Sequence, residues 1–377
     1  MRLFSVSRFL AILAKEFIQM RRDRLTFGMM MGVPLMQLLL FGYAINTDPK
    51  NLPAVAVVGE QSNFARSLLS AMEKTGYIHF IREPVDAATA DRMLRQGDVQ
   101  FAVHIPPDFA QDLVRGRMPA LLVEADATDP VATGNALSAL QGLDASALVH
   151  DLKGPLAKLQ NDVAPFEVRL HKRYNAEGIT QYNIVPGLMG VVLTMTMVMM
   201  TSLAVTRERE RGTMENLLAM PVRPGEVMLG KIIPYIAVGY VQVTIIVVAA
   251  RYLFAVPLMG SLALLSLAAI IFIAANLAVG FTFSTLSTNQ LQAMQMSTFF
   301  FLPSLLLSGF MFPFRGMPAW AQVLGEALPL THFLRVVRGI LLKGNGLPDI
   351  WPDLWPILVF LAGAAILALL RYRRTLD

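Results

Sequence analysis

The sequence lacks cysteine and has few charged residues. Zero cysteines exclude a disulfide scaffold, a zinc-cysteine site and a thiol nucleophile. Charged residues make up 16% of the chain and hydrophobic residues 55%, whereas an average soluble domain carries about 25% charged residues. The mean hydropathy is +0.52. This composition excludes a disordered or collagen-like chain and predicts a membrane protein.

Motifs for nucleotide and metal binding are also missing. The sequence contains no G-x-x-x-x-G-K-[ST] string, and Gly230-Lys231 is followed by Ile232 without the preceding glycine. The histidines are scattered and show no H-E-x-x-H or similar spacing. We therefore expect no catalytic site, no bound metal and no cofactor on this chain. An intramembrane enzyme is the least favoured class, because the long apolar segments contain no carboxylate, histidine or cysteine that could act inside the bilayer.

The net charge of +5 is unevenly distributed. Residues 46–183 hold 13 Lys and Arg against 17 Asp and Glu, and the remainder holds 19 against 10. The basic excess flanks the apolar segments, where topology and anionic membrane lipid explain it better than nucleic acid does.

Apolar segments long enough to cross a bilayer of about 30 Å recur along the chain. Residues 252–314 form a stretch of 63 positions without a charged residue. A single helix of this length would be about three times too long for one crossing. The polar string at 284–292 is the natural turn within it. The sequence predicts six transmembrane helices near 25–45, 184–206, 232–250, 258–283, 293–312 and 354–370.

Basic residues predict the orientation of these helices. One face collects 14 Lys and Arg and the other collects 5, with the long segment 46–183 left out. Both termini and a loop at 207–231 are therefore expected on the cytoplasmic side, and 46–183 on the extracytoplasmic side. Residues 1–24 show an apolar stripe at helical spacing, which predicts an interfacial helix; a flexible basic tail is the alternative.

Strands and helices alternate in the extracytoplasmic segment. The predicted order is a strand at 53–58, a helix at 64–74, a strand at 78–81, a helix at 87–96, a strand at 101–105 and a helix after Pro107. A further strand is expected at 121–124, and 131–181 looks helical. The fold class is thus a mainly α membrane protein with an α/β domain inserted between its first two spans.

The loop between the second and third spans has an unusual charge pattern. It reads R-E-R-E-R-G-T-M-E-N-L-L over 207–218. Alternating charges followed by a capped, amphipathic turn favour a rigid element that binds another protein. The alternative is a solvated loop whose arginines only set topology, although topology would not need the interleaved glutamates.

This string resembles the coupling region of permease subunits of type-2 ATP-binding-cassette exporters. Similar matches are K-E-F-I-Q-M-R-R-D-R at 15–24, S-G-F-M-F-P at 308–313, M-P-A-W at 317–320, P-L-T at 329–331 and V-R-G-I-L-L-K-G at 337–344. Their order and spacing resemble those of the family, whereas 46–183 is similar only in general character to its members with large extracytoplasmic domains.

The resemblance implies a set of roles. The coupling helix would contain Glu208, Glu210, Arg211, Gly212, Thr213 and Glu215. It would receive motion from a separate ATPase subunit that binds ATP and Mg. A second permease copy, or a related chain, would pair with this one around a substrate path between the two chains, lined by residues of the second and fifth spans.

Candidate residues for that path are flexible thioethers and aromatics: Met195, Met199, Phe299 and Phe300. Lipid-facing or packing roles are the alternative for all four. The string Gly28-x-x-x-Gly32 could bring two helices close together, either in a dimer contact or within one chain.

The function expected from these observations is export of amphipathic or hydrophobic small molecules, drugs or lipid-like compounds, across a bacterial inner membrane. A periplasmic adaptor protein is a further candidate partner. The alternative is a membrane-anchored sensor or assembly factor whose extracytoplasmic domain binds a ligand or partner.

Overall fold

The computed structural model describes residues 49–81, 83–143, 147–148, 151–152, 165–210 and 224–371. The predicted interfacial helix at 1–24 and the predicted first span at 25–45 lie outside these residues. Within them, four helices are long and apolar enough to cross a membrane: Thr180–Leu203, Tyr235–Tyr252, Leu262–Leu286 and Leu347–Arg371.

Residues 52–173 contain a five-stranded sheet with helices between its strands. The strands are β1 (Leu52–Val58), β2 (Ile78–Phe80), β3 (Phe101–Ile105), β4 (Ala120–Asp126) and β5 (Glu167–Arg173), in the order β2-β1-β3-β4-β5. β4 runs antiparallel to β3 and parallel to β5. The helices are α1 (Asn63–Lys74), α2 (Ala87–Gln96), α3 (Phe109–Val114) and α4 (Pro130–Gln141).

Local sequence signals account for most of this α/β region. Ser62 caps α1 by accepting a hydrogen bond from the Ala65 amide at 3.1 Å, and Asp86 caps α2 in the same way through Thr89 at 3.1 Å. α2 ends at Gly97, whose φ of 81° suits a residue without a side chain. The strand and helix predictions between 53 and 124 are confirmed.

The prediction of a helix throughout 131–181 is wrong, because β5 lies within that range. Its sequence E-V-R-L-H-K-R alternates polar and apolar residues, and all of its side chains are exposed or half-buried. An edge strand pairs on one side only and tolerates charge. Its few apolar residues gave no strand signal, and its position is set by pairing with β4.

The described residues after β5 include these helices: α5 (Thr180–Glu210), α6 (Pro224–Tyr252), α7 (Leu262–Leu286), α8 (Gln290–Leu307), α9 (Ala319–Glu326), α10 (Pro329–Arg338) and α11 (Leu347–Arg371). The turn predicted at 284–292 is confirmed, because α7 ends at Leu286 and Asn289 caps α8. A π-helical turn, Gly339–Lys343, follows α10 directly. α11 begins seven residues before the predicted span and so includes Asp349 and Asp353.

α7 lies at the centre of the helical part and contacts α5, α6, α10 and α11. Phe272 of α7 stacks on Phe333 of α10, with ring centroids 4.0 Å apart. Gly280 brings α7 so close to α5 that a Cβ at this position would overlap the carbonyl oxygen of Val198. Small residues allow such close packing between membrane helices.

Candidate functional site

Lys343 joins the helical part of the chain to the α/β region through a buried ion pair. Its Nζ lies 2.5 Å from Oδ2 of Asp126, and both side chains are 8% exposed. The same ammonium donates a hydrogen bond to the carbonyl of Leu94 in the last turn of α2 at 3.1 Å. A cation at this end of a helix is favourable. Lys343 therefore holds the ends of both β4 and α2.

Arg338 makes a second connection, through Asn183 in the first turns of α5. Nη2 of Arg338 donates to Oδ1 of Asn183 at 3.1 Å, and Nδ2 of Asn183 donates to the carbonyl of Thr128 at 2.8 Å. The Thr128 amide and hydroxyl donate in turn to Oδ1 of Asp126. A continuous chain of polar contacts thus runs from α10 through α5 to the α/β region and back to Lys343.

Asn345 completes this arrangement, with Gly339 making room for its side chain and Gly344 allowing the turn that precedes it. Its Nδ2 donates to the carbonyl of Arg95 at 3.0 Å. A Cβ at Gly339 would lie 2.9 Å from that Nδ2, and Gly344 has a φ of 72° that other residues rarely adopt. We call Asp126, Thr128, Asn183, Arg338, Lys343 and Asn345 the polar junction.

A cavity of about 410 Å³ lies beside the polar junction. We call it the junction cavity. Its walls combine the end of α2, the start of α4 and residues of α10 and α11. The basic side chains that line it are Arg95, Arg315, Arg335, Arg338 and Lys343, and the acidic ones are Asp98, Asp126, Asp129, Glu326, Asp349 and Asp353.

One wall of the cavity is fixed by paired charges. Nδ1 of His332, whose side chain is 8% exposed, lies 2.8 Å from Oδ1 of Asp353. Arg335 binds both Asp353, at 3.3 Å, and Glu326, at 2.6 Å. These contacts tie α9, α10 and α11 together, so this wall is a preorganised polar surface.

Burial changes the acidity of two groups near the junction. Burial raises the pKa of the Asp129 carboxyl, and the positive charge of Arg338 opposes that rise. Burial also raises the pKa of Tyr174 from 10.0 to about 12. The Tyr174 ring lies 5.3 Å from Nζ of Lys343. Both shifts follow from the exclusion of water from this region.

Of the predicted coupling residues, the structure describes Glu208 and Glu210, at the opposite end of α5 from Asn183. Glu208 and Glu210 belong to the last turn of α5. Oε1 of Glu210 accepts a hydrogen bond from the backbone amide of Gln290 at 2.7 Å, and its other oxygen binds the Gln290 side chain. These bonds lower the pKa of Glu210. Outside the described residues lie Arg211, Gly212, Thr213 and Glu215.

The predicted substrate-path residues lie on α5 and α8, which pack together through a hydrogen bond of 2.8 Å between the hydroxyls of Ser202 and Ser297. Met195 and Phe299 are 46% and 43% exposed, and Met199 is half-buried. The Phe300 ring packs against Phe283 and Phe360. None of the four lines the junction cavity, and Gly28 and Gly32 lie outside the described residues.

The polar junction was missed by sequence reasoning. The sequence singles out Arg338 and Lys343 only as members of the string at 337–344 and as basic residues beside a membrane span, and it does not single out Asn183. A usable signal was present, because Asn183 opens an apolar span and Asp126 ends an apolar strand. Polar residues at such places are candidates for buried contacts.

Two histidines that looked isolated in the sequence share one carboxylate in the sheet. Nε2 of His104 lies 3.0 Å from Oε2 of Glu124, and Nδ1 of His171 lies 3.4 Å from Oε1 of the same residue. Among the residues that the structure describes, no three His, Cys, Asp or Glu side chains are grouped to hold a metal ion.

The chain is similar to known proteins over most of its length. The chain is 29% identical over 352 residues, 91% of its length and 90% of the relative's, to "Probable multidrug ABC transporter permease YbhS" of Escherichia coli K12. It is 27% identical over 372 residues, 97% of its length and 98% of the relative's, to "Probable multidrug ABC transporter permease YbhR" of the same strain.

A third relative is "Inner membrane transport permease YhhJ" of Escherichia coli K12, which is 28% identical over 343 residues, 86% of each chain. Residues 24–370 match the family described as ABC-2 family transporter protein. Because this match covers most of the sequence, the chain belongs to the ABC-2 family of transporter permeases.

Proposed function

We propose that the chain is the membrane subunit of an ATP-driven exporter of amphipathic or hydrophobic small molecules. Two relatives carry the words multidrug ABC transporter permease in their names, which supports this cargo class. The proposed organisation has six spans, with residues 46–183 inserted as an extracytoplasmic domain between the first and second. ATP and Mg would bind a separate ATPase subunit, because the sequence has no P-loop string.

The observation that carries the proposal is that one helix joins the predicted coupling loop to the polar junction. α5 is 31 residues long, with Asn183 near its start and Glu210 at its end. The stretch between these two residues spans roughly 40 Å at about 1.5 Å per residue. A displacement of the loop at 207–231 would therefore move the junction.

The contact between Glu210 and Gln290 connects a second helix, α8, to the coupling loop. It fixes the end of α5 to the start of α8, so both helices would respond to the loop together. In the proposal these are the second and fifth spans. Their exposed apolar residues, such as Met195 and Phe299, would face the substrate path and a second permease copy. Gly28 and Gly32 are proposed for close helix packing in the same dimer.

The proposed location is a bacterial inner membrane, with both termini in the cytoplasm. The name of the relative YhhJ includes the inner membrane, and the distribution of Lys and Arg along the sequence supports the orientation. A periplasmic adaptor would bind the extracytoplasmic domain in this arrangement. Cross-linking in intact cells tests that partner, and its failure to capture any adaptor would contradict this part of the proposal.

The decisive experiment is co-purification of the tagged chain from its native membranes in mild detergent, followed by an assay of ATP hydrolysis. The unaltered chain should bring an ATPase subunit with it. Glu210→Arg should lose the subunit or its turnover, because it reverses a charge at the coupling loop and breaks the contact with Gln290. Glu177→Arg, an equally exposed charge reversal before α5, is the matched control and should behave like the unaltered chain.

If no ATPase accompanies any of the three proteins, even after chemical cross-linking, the exporter proposal is contradicted. A sensor or assembly factor would then be the better description.

A further inference from the structure

The junction cavity lies where lipid headgroups are expected. Trp355 lines it, and Trp351 and Trp355 on α11 are 51% and 50% exposed. Exposed tryptophans near the start of a membrane-spanning helix favour the interface between hydrocarbon and water. The cavity therefore opens at the level of phosphate and amine groups.

Arg338 supplies a positive charge to this cavity and makes no direct ion pair among the described residues, although Asp129 and Asp126 act on it at longer range. Its two terminal nitrogens donate to the Gly309 carbonyl and to Asn183, both neutral groups. Its Nε is buried and has no hydrogen-bond partner among the described residues. No carboxylate of those residues lies within ion-pairing distance of the guanidinium; Asp126 already pairs with Lys343. A buried guanidinium in this state favours binding of an anionic oxygen.

Two residues that line the same cavity have amide oxygens that need hydrogen-bond donors. Oδ1 of Asn345 and Oε1 of Gln100 are buried and unpartnered within the described part of the chain, and Asn345 is 6% exposed overall. The Asn345 amide cannot be flipped to resolve this, because its Nδ2 already donates to the Arg95 carbonyl. Both oxygens can only accept hydrogen bonds, so they require N–H or O–H donors.

The balance of charges decides what kind of ligand fits. The cavity walls carry five Lys or Arg side chains and six Asp or Glu side chains. A simple anion would gain from Arg338 but leave both amide oxygens unsatisfied and meet the acidic wall. A ligand with one anionic group and one ammonium group offers a partner of the right kind to both sets of atoms.

We propose that the junction cavity binds a phosphoethanolamine group, with the phosphate on Arg338 and the ammonium on Asn345 and Gln100. The same chemistry is found in the headgroup of phosphatidylethanolamine and in free O-phosphoethanolamine. Bound there, the group would bridge α10 and the α/β region and strengthen their contact. The inference concerns a site on the polar junction and holds whether or not the chain exports drugs.

The test compares ligands whose ammonium group carries either N–H groups, as in ethanolamine, or methyl groups, as in choline. The full-length chain is delipidated in detergent, and native mass spectrometry measures retention of phosphatidylethanolamine against phosphatidylcholine, whose ammonium is fully methylated. Retention of the ethanolamine lipid should exceed that of the choline lipid by at least about tenfold, as expected for hydrogen bonds to a charged group. Free O-phosphoethanolamine and phosphocholine form the second arm, read by tryptophan fluorescence in a variant with Trp320→Phe and Trp351→Phe, which keeps Trp355 alone.

Variants separate the site from general lipid binding. Gln100→Leu removes one unpartnered oxygen at similar size, and it should lower ethanolamine binding several-fold while leaving choline binding unchanged. Arg338→Gln should weaken both. Gln141→Leu, at an exposed position at the end of α4 and outside the cavity, is the control and should bind like the unaltered chain. The melting temperature of each ligand-free protein shows whether a loss of binding is a loss of folding.

The two arms and the variants distinguish the source of the ligand. Preference in the lipid arm, lost in Gln100→Leu, supports a headgroup site. Preference only in the soluble arm supports the same chemistry from a free compound. Equal binding of ethanolamine and choline ligands, or binding that no variant alters, would mean that water fills the cavity and would overturn the proposal.

Discussion

Lys343 and Asp126 stand 217 positions apart in the sequence, yet their side chains form an ion pair of 2.5 Å from which water is largely excluded. One belongs to the π-helical turn before the last helix and the other to the end of β4. Burial makes this pair sensitive to the loss of a single partner, because the remaining charge stays in a region of low polarity. The pair connects the α/β region directly to the helical part of the chain.

Removing only one member of this pair should be costly. We expect Lys343→Met to destabilise the chain by about 3 kcal/mol or more, because it leaves Asp126 buried without its cation. The double variant Lys343→Met with Asp126→Asn should recover much of this loss. Thermal unfolding in detergent measures both.

The control is an exposed pair in β5. Arg169 and Glu167 lie 2.9 Å apart with side chains 65% and 50% exposed, so Arg169→Met should cost less than about 1 kcal/mol. Equal losses for Lys343→Met and Arg169→Met would show that the junction pair does not hold the two regions together.

We expect Asn183 to affect both the stability of the chain and the transmission of motion from the coupling loop to the polar junction. Asn183→Ala removes the acceptor of Arg338 and the donor to Thr128. We expect a loss of about 1–3 kcal/mol, because two buried polar groups lose their partners. In the proposed exporter, substrate-stimulated ATP hydrolysis should fall more than the amount of folded protein does.

Asn63→Ala is the control for that variant, because Asn63 makes an exposed side-chain contact with Arg66 in α1. It should leave both stability and ATP hydrolysis nearly unchanged. If Asn183→Ala lowered stability but left stimulated hydrolysis per folded molecule unaltered, the contact would serve attachment alone.

The sequence predicts those parts of the structure whose determining residues are close together in the chain. The caps at Ser62 and Asp86 and the stop at Gly97 act over a few residues, so α1 and α2 were predicted within one residue of their observed ends. The turn between α7 and α8 was equally visible, because polar residues interrupt a long apolar run. Such elements can be predicted from the residues of a single segment.

Contacts between distant segments could not be predicted in this way. β5 depends on its neighbour β4 for its conformation, and its own residues are mostly polar. In the sequence, Arg338 and Lys343 lie beside a predicted membrane span, which is the usual place for exposed basic residues. Their burial follows from the packing of α2, α5 and α10, which no spacing within one segment reveals.

Tyr174 should make stability depend on pH in the alkaline range. Its pKa is raised from 10.0 to about 12 in the folded chain, so between these values the unfolded state loses a proton that the folded state keeps. Stability attributable to Tyr174 is therefore fully present below pH 10 and falls as the pH rises toward 12. The measurement is the melting temperature as a function of pH.

Tyr174→Phe isolates this contribution. The Tyr174 hydroxyl is buried and has no hydrogen-bond partner among the described residues, so its removal at neutral pH should be neutral or slightly stabilising. Above pH 10 the variant should lose less stability than the unaltered chain. Parallel curves for the two proteins up to pH 12 would contradict the raised pKa.

Two glycines in membrane helices should respond in opposite ways to the same substitution. At Gly280 in α7, a Cβ would overlap the backbone carbonyl of Val198 in α5 and lie 3.0 Å from Cβ of Thr201. Backbone atoms cannot move aside as a side chain does, so the two helices must separate. We expect Gly280→Ala to cost about 1–3 kcal/mol, the range for overpacking a core.

At Gly363 in α11, nothing lies within 4 Å of the added carbon. Gly363→Ala should therefore be neutral or stabilise the helix by up to about 1 kcal/mol, because alanine loses less backbone entropy on folding. Melting temperatures of the two variants, purified in the same detergent, give the comparison. Because both replace glycine by alanine within a helix, helix propensity cancels and the difference reports the contact between α5 and α7. A Gly280→Ala variant as stable as Gly363→Ala would mean that these helices have room to separate at no cost, and that their close approach does not fix the arrangement of the spans.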